Sequence, residues 1–327
     1  METIGQESAS TFFHNPRIQN PACFVGLPET DEDLTGDISF FDRGSAMKHV
    51  IATAAVVTLL GALTGLAAAS GASAQSWQGP YGSLLLGSNK VADGSTALSF
   101  DTNLDGKFGD TVNTFTNTDY FAPGFCSGIA ATNMPAGGCS KAKGQSGVGA
   151  RIGYDWETNH IVYGVLLDII GGKVTDGVSG FSTAPDSYVF SRKISSITGL
   201  RGRVGYDYDG WLGYVTAGLA TADISRGFAT TNPFNTFNAA DDSGGNGTQI
   251  GLGVEKMVTK NWSVGVEYLR TSLRDQDPTV RASGSSSTFA SNPFLIANSQ
   301  GTDIRRNDDR FKIDTVLLTV SYRFGAM

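Results

Sequence analysis

The segment that most narrows the fold is Asp314-Thr-Val-Leu-Leu-Thr-Val-Ser-Tyr-Arg-Phe324, lying almost at the C-terminus of the 327-residue chain. Successive strand side chains point to opposite faces, so Val316, Leu318, Val320, Tyr322 and Phe324 share one face. Thr315, Thr319, Ser321 and Arg323 share the other, and Leu317 alone breaks the pattern. A wall that is apolar outside and polar inside suits a bilayer, provided that it closes on itself and leaves no backbone group unpaired in hydrocarbon. The run therefore predicts the last strand of a transmembrane β-barrel, closing on Tyr322 and Phe324.

Met47-Lys-His, an apolar run from Val50 to Ala69 and the small-x-small site Ala72-Ser-Ala74 predict a secretory signal peptide over 47–74, cleaved before Gln75. An uncleaved membrane anchor is the competing reading, because the run is long enough to span. Residues 1–46 are acidic and turn-rich, with Glu29-Thr-Asp-Glu-Asp33. They read as a non-native or disordered leader, with Met47 as the initiator. Removing 1–74 leaves 21 Lys and Arg against 23 Asp and Glu, a net charge of −2. That balance gives no footprint for nucleic acid.

Beyond Gln75 no apolar run approaches the roughly 20 residues of a membrane helix, and short period-two blocks dominate. Eight strands are expected near 79–88, 147–156, 161–172, 194–208, 211–224, 247–258, 262–273 and 312–324. The third and fifth are almost continuously apolar, so their facing stays open. Tight turns at Glu157–His160, Asp209-Gly210 and Thr259–Asn261 alternate with long loops near 89–146, 173–193, 225–246 and 274–311. Short turns on one rim and long loops on the other match an all-β, antiparallel up-and-down barrel of eight strands over 75–327. Ten strands is the alternative, since two of the loops could hide a hairpin. Trp156, Tyr206, Trp211, Trp262 and Tyr268 cluster at strand ends, as an interfacial girdle would.

Gly147–Trp156, Leu200–Tyr206, Trp211–Ala220, Gly251–Glu255, Asn261–Tyr268 and Tyr322-Arg-Phe324 together resemble the small outer-membrane β-barrel proteins of Gram-negative bacteria, labelled porin-family or opacity-like surface proteins. The resemblance implies an eight-stranded barrel in the outer membrane, insertion by the outer-membrane assembly machinery through the last strand with Tyr322 and Phe324 as the signal, and no catalytic residues. Lipid and lipopolysaccharide are then the expected partners, and the loop ligand is open. Members usually stop at the final aromatic, whereas this chain continues with Gly325-Ala-Met327.

Inward parity selects Arg151, Asp155, Asp168, Arg201, Arg203, Glu255, Glu267 and Arg323 as lumen charges. An eight-stranded interior is only wide enough for its own side chains, so opposite charges are expected to pair and plug it; a narrow charged conduit is the other reading. Asp101, Asn103, Asp105 and Asp110 resemble the opening of a calcium loop, with Gly106 at the sharp turn and Val112 where a bidentate Glu belongs. A weak structural Ca²⁺ site and a metal-free Asp/Asn/Gly turn both remain open. Cys126 and Cys139 are expected to form one disulfide, with free thiols as the alternative. His160 is the one histidine after processing, and its turn position argues against catalysis. The functional expectation is a structural envelope barrel with a plugged lumen; a passive small-solute porin and a loop-mediated adhesin are the alternatives.

Overall fold

A computed structural model of the protein describes residues 76–93, 96–239, 244–274, 279–284 and 291–324. The expected leader, the export segment with Ala72 and Ala74, and the last three residues lie outside the described residues. In chain order the strands are β1 (Gly79–Asp93), β2 (Leu98–Asp101), β3 (Gly124–Ser127), β4 (Ile129–Ala130), β5 (Cys139–Ser140), β6 (Ser146–Thr158), β7 (Ile161–Phe181) and β8 (Ser187–Tyr208). They continue with β9 (Trp211–Thr230), β10 (Thr236–Ala239), β11 (Gly245–Met257), β12 (Trp262–Arg274), β13 (Val280–Ser283), β14 (Thr302–Arg306) and β15 (Arg310–Arg323).

Eight strands form a ring in the order β1, β6, β7, β8, β9, β11, β12, β15, each antiparallel to the next. The ring shuts where β15 pairs back to β1, from Tyr81 opposite Arg323 to Asp93 opposite Lys312. Each of the eight expected strands falls on one ring strand. Two of the hairpins turn through Asn159-His160 (φ 50° and 65°) and Asp209-Gly210 (φ 51° and 74°). Positive φ at both central residues is the two-residue turn whose twist matches that of the flanking strands.

Alternation now settles the facing. On β15, Thr315, Leu317, Thr319, Ser321 and Arg323 are buried while Val316, Leu318 and Val320 are exposed. On β7, Val162, Leu166, Asp168 and Ile170 point in, and Tyr163, Val165, Leu167 and Ile169 point out. The outward apolar band starts at aromatic pairs beside the short turns: Trp156 on Tyr163 at 5.7 Å and Trp262 on Tyr322 at 5.0 Å. It ends where Asp314 takes the outward position on β15. At about 3.4 Å per residue, Tyr322 to Asp314 covers about 27 Å along the strand, and a tilt of about 40° projects that to about 21 Å, of the same order as the ~25 Å band of an outer-membrane barrel.

The segments expected as loops hold most of the remaining structure. Residues 173–193 are not a loop: β7 and β8 run on as a paired ribbon past a register shift between Gly171 and Val174, leaving only 182–186 as the turn. Strands β10, β13, β14 and β2 form a separate four-stranded antiparallel sheet, and β3 pairs with the far end of β7. These additional strands stay outside the ring. Their apolar side chains pack with Val178, Tyr188 and Phe190 of the ribbon into a core that includes Leu98, Phe100, Tyr120, Phe121, Val280, Phe294 and Ile304. The long-loop end of the barrel therefore carries a folded cap.

Candidate functional site

All eight charges selected by inward parity are buried. They lie on six ring strands and form two interlocked groups. In the first, Arg151 reaches Asp168 at 3.1 Å and Glu267 at 2.8 Å, and Arg201 contacts the same two carboxylates. Arg201 also donates to Thr216 Oγ1 at 2.8 Å, and the Tyr214 hydroxyl donates to Glu267 at 3.1 Å. In the second, Arg203 forks onto Asp155 and reaches Glu255 at 3.2 Å, while Arg323 reaches Asp155 at 3.0 Å. Ser263 donates to Glu255 at 2.5 Å.

Four cations face four anions, so the network is electrically neutral. Only the Arg151–Asp168 pair is a direct cross-strand neighbour. The Arg151–Glu267 link joins β6 to β12 across the interior, three places away around the ring. Glycine makes room for these long side chains: a Cβ on Gly164 would overlap the Asp155 carboxylate, and one on Gly199 would overlap the Gln249 carboxamide. Burying charges is favourable only when each finds a partner, and here each does.

Apolar layers bound the network on both sides. Toward the long-loop end lie Leu85, Ile170, Leu269 and Leu317, which explains why Leu317 breaks the alternation of its strand. Toward the short-turn end Trp77 is buried with Val162, Leu212, Tyr214 and Met257. Its indole donates to Asp207 at 2.9 Å, its carbonyl accepts from Arg323 at 2.5 Å, and the Arg323 guanidinium lies 4.6 Å from its ring. The segment preceding β1 is thus tucked into the barrel mouth. Sequence reasoning missed Trp77, and a lone tryptophan before the first strand is the only signal that could have marked it.

A second ionic group was also missed. Asp176 and Arg192, 2.9 Å apart on the β7–β8 ribbon, join Arg306 and Asp308 through contacts of 2.6 Å each, and Arg192 stands over the Phe311 ring at 4.2 Å. Reading 173–193 as a loop hid it.

The calcium-like residues make hydrogen bonds within their own turn. Asp101 accepts from the backbone N–H groups of Asp105 at 3.1 Å and Gly106 at 2.7 Å, and Asn103 accepts from Asp105 N–H at 2.9 Å. Asp110 turns to Thr102, accepting from its N–H and hydroxyl at 2.8 Å each, which holds the carboxyl below the usual carboxylate range. Among the described residues no group of three or more His, Cys, Asp or Glu is placed to hold a metal. The geometry is that of side chains closing a turn.

Cys126 and Cys139 form a disulfide with Cα atoms 6.2 Å apart. In the chain-entropy model a ring of this size restricts the enclosed segment by about 3 kcal/mol. Replacing both cysteines by Ser should therefore speed proteolytic nicking between 127 and 138 severalfold while leaving heat-modifiable gel migration unchanged. Equal nicking rates would show that the crosslink does not order the segment. Tyr322 and Phe324 stack edge-on at 5.1 Å at the short-turn rim, beside Trp262. His160 is exposed in its turn, 3.8 Å from Asp207.

Comparison with known proteins agrees with this architecture. A family model described as "Outer membrane protein beta-barrel domain" matches residues 57–324. The "22 kDa outer membrane protein" of Rhizobium leguminosarum bv. viciae is 36% identical over 126 residues, covering 38% of this chain and 51% of that one. The "31 kDa outer-membrane immunogenic protein" of Brucella melitensis is 28% identical over 127 residues, covering 38% and 52%. The chain spans about half the length of these curated relatives. Among solved structures, Ail of Yersinia pestis aligns over 75% of this chain and 99% of its own at 11% identity, with a TM-score of 0.27. With a closed antiparallel ring, an outward apolar band and a family match across most of its length, the chain belongs to the outer membrane protein β-barrel domain family and is an outer-membrane protein of the Gram-negative type.

Proposed function

We propose that the protein is a structural component of the outer membrane whose lumen is filled by its own side chains, and that it presents the folded cap to the outside. The observation that carries this reading is the neutral ionic network reaching from β6 to β12 across the interior. An ion entering such a barrel would have to displace charge-assisted pairs that have no solvent to fall back on, which is a steep barrier to passage. Trp77 and the Leu85–Ile170–Leu269–Leu317 layer add dry constrictions on either side.

On this reading the short turns face the periplasm, the last strand with Tyr322 and Phe324 directs insertion through the assembly machinery, and the outward apolar band meets lipid and lipopolysaccharide. No catalytic role is assigned, because His160 sits in a solvated turn on the opposite rim from the cap. The expected result in a planar bilayer is silence from refolded full-length protein whose heat-modifiable migration proves it folded. Steady, ohmic channels from the same preparation would replace this reading with a small-solute pore. The cap's own core favours a surface-contact role over a purely mechanical one, since a barrel needs no folded cap in order to sit in a membrane.

A further inference from the structure

We infer that the outward face of β12, β15 and β1 holds a phosphate-bearing glycolipid of the outer leaflet, gripped above the apolar band by Arg274 and Arg310. The choice of leaflet rests on the reading that the cap faces outward; whether the lumen conducts does not enter. Arg274 and Arg310 stand directly opposite each other on β12 and β15, and both are exposed. Like charges facing each other across a strand pair repel unless an anion lies between them. Among the described residues neither guanidinium has a hydrogen-bond or ion-pair partner, and Asp309, next to Arg310 in the chain, pairs with neither. Asp275 and Asp277 lie outside the described residues.

Register around the ring sets the height of this pair. Following cross-strand partners once round from Lys90, through Asp314 and Arg270, returns to β1 at Pro80, ten residues lower. The strands therefore tilt, and a constant height moves about 1.25 residues per strand toward the long-loop end. Within one residue, that level carries Ser272 on β12, Thr248 on β11 and Thr221 on β9 beside Asp314, all outward and all polar. The apolar band thus ends at one height across these strands. Arg274 and Arg310 lie four residues beyond Arg270 and Asp314, about 14 Å along the strand and about 10 Å in height at a tilt of about 40°.

Charge and height together select the ligand. At the edge of the band Lys90 and Arg270 flank Asp314, with Arg270 forking onto its carboxylate at 2.7 and 3.0 Å, and Lys312 stands opposite Asp93 between the two levels. The short-turn rim has no such excess of basic groups, since Glu157, Asp207 and Asp209 accompany Lys256 and Lys260 there. A phosphate monoester carries about −1.5 to −2 charges and three acceptor oxygens, enough to meet two guanidinium forks at once. A phospholipid holds its phosphodiester at the hydrocarbon boundary, well short of Arg274 and Arg310, whereas a sugar headgroup carries phosphates farther out. Within the band, a groove of about 690 Å³ over Gly202, Ala217, Ile250 and Leu252, bordered by Tyr268 and Arg270, offers a seat to an acyl chain.

The test uses refolded full-length protein in a zwitterionic detergent, with lipid binding read by native mass spectrometry. The probes are diphosphoryl lipid A, the same lipid after phosphatase treatment, and phosphatidylglycerol. Diphosphoryl lipid A should bind at least tenfold more tightly than either comparator. The Arg274→Gln/Arg310→Gln variant should lose at least tenfold of that affinity. Lys173→Gln/Lys193→Gln, on exposed positions of β7 and β8 across the ring, should change it less than threefold. Heat-modifiable migration should stay unchanged in both variants. Equal binding before and after phosphatase treatment overturns the inference, as does affinity that survives the loss of both arginines. Equal binding of phosphatidylglycerol overturns it in favour of a general anionic-lipid contact. Labelling of Lys107→Cys on intact cells by a membrane-impermeant thiol reagent tests the cap's orientation separately. Absence of labelling overturns the outward-cap reading, and the choice of leaflet with it, whatever the lipid measurements show.

Discussion

Glu267→Gln should destabilise the barrel by about 3–5 kcal/mol, the usual cost of leaving a buried charge uncompensated. Glu267 serves both Arg151 and Arg201, so its loss leaves two buried guanidiniums sharing Asp168, with four cations against three anions. The measurement is urea unfolding from lipid vesicles, where the midpoint should drop without a change in slope. Restoring neutrality is the decisive control: Glu267→Gln combined with Arg151→Met should recover much of the loss, because removing a whole pair is far cheaper than breaking one. The half-exposed Arg270–Asp314 pair on the outer face supplies a contrast, and Asp314→Asn should shift stability by no more than about 1 kcal/mol. Equal effects at Glu267 and Asp314 would mean that the lumen network is solvated like a surface.

The barrel is legible in the sequence because its wall obeys period two with a polar or glycine-rich inner face. Strands β6, β11, β12 and β15 show that pattern directly. It blurs in β7 and β9, where Val162, Leu166, Ile170 and Leu212 pack inward as apolar layers, so both faces read as greasy. Parity assigns each lumen charge to a face but not to a height or a bearing around the ring. The Arg151–Asp168 pair follows once register is known, whereas the cross-interior link to Glu267 depends on barrel diameter, which no local pattern encodes. The calcium-like motif stays ambiguous for a related reason: the same oxygens that could ring a cation also close a turn on backbone N–H groups, as Asp101 and Asn103 do. The cap is invisible to periodicity because its strands are only two to five residues long. Its signal is compositional, in that Phe100, Tyr120, Phe121, Phe125, Phe237 and Phe294 all fall in segments that a solvated loop would leave polar.

Phe121→Ala should unfold the cap while sparing the barrel. Phe121 is 3% exposed and touches Phe100 at 4.5 Å, Tyr188 at 5.1 Å, Phe125 at 5.9 Å and Phe294 at 6.2 Å between centroids, so it joins the cap segments to the β7–β8 ribbon. Truncating such a ring costs about 3–5 kcal/mol, which is comparable to what a small subdomain has to lose. The cap core shares no residue with the lumen layers, and the ring's hydrogen-bonded closure does not pass through it. The expected outcome is rapid proteolysis between 96 and 145, loss of near-ultraviolet dichroism from the clustered rings, and retained heat-modifiable migration. The joint between the two parts is the Asp176–Arg192–Arg306–Asp308 group, in which β7 and β8 residues hold β14 and the segment leading into β15. If Phe121→Ala instead abolished heat-modifiable migration, that ionic joint would be coupling cap and barrel into one cooperative unit. Asp176→Asn, which weakens the joint without touching the aromatic core, should then produce the same collapse; if the parts are independent, it should loosen the cap alone.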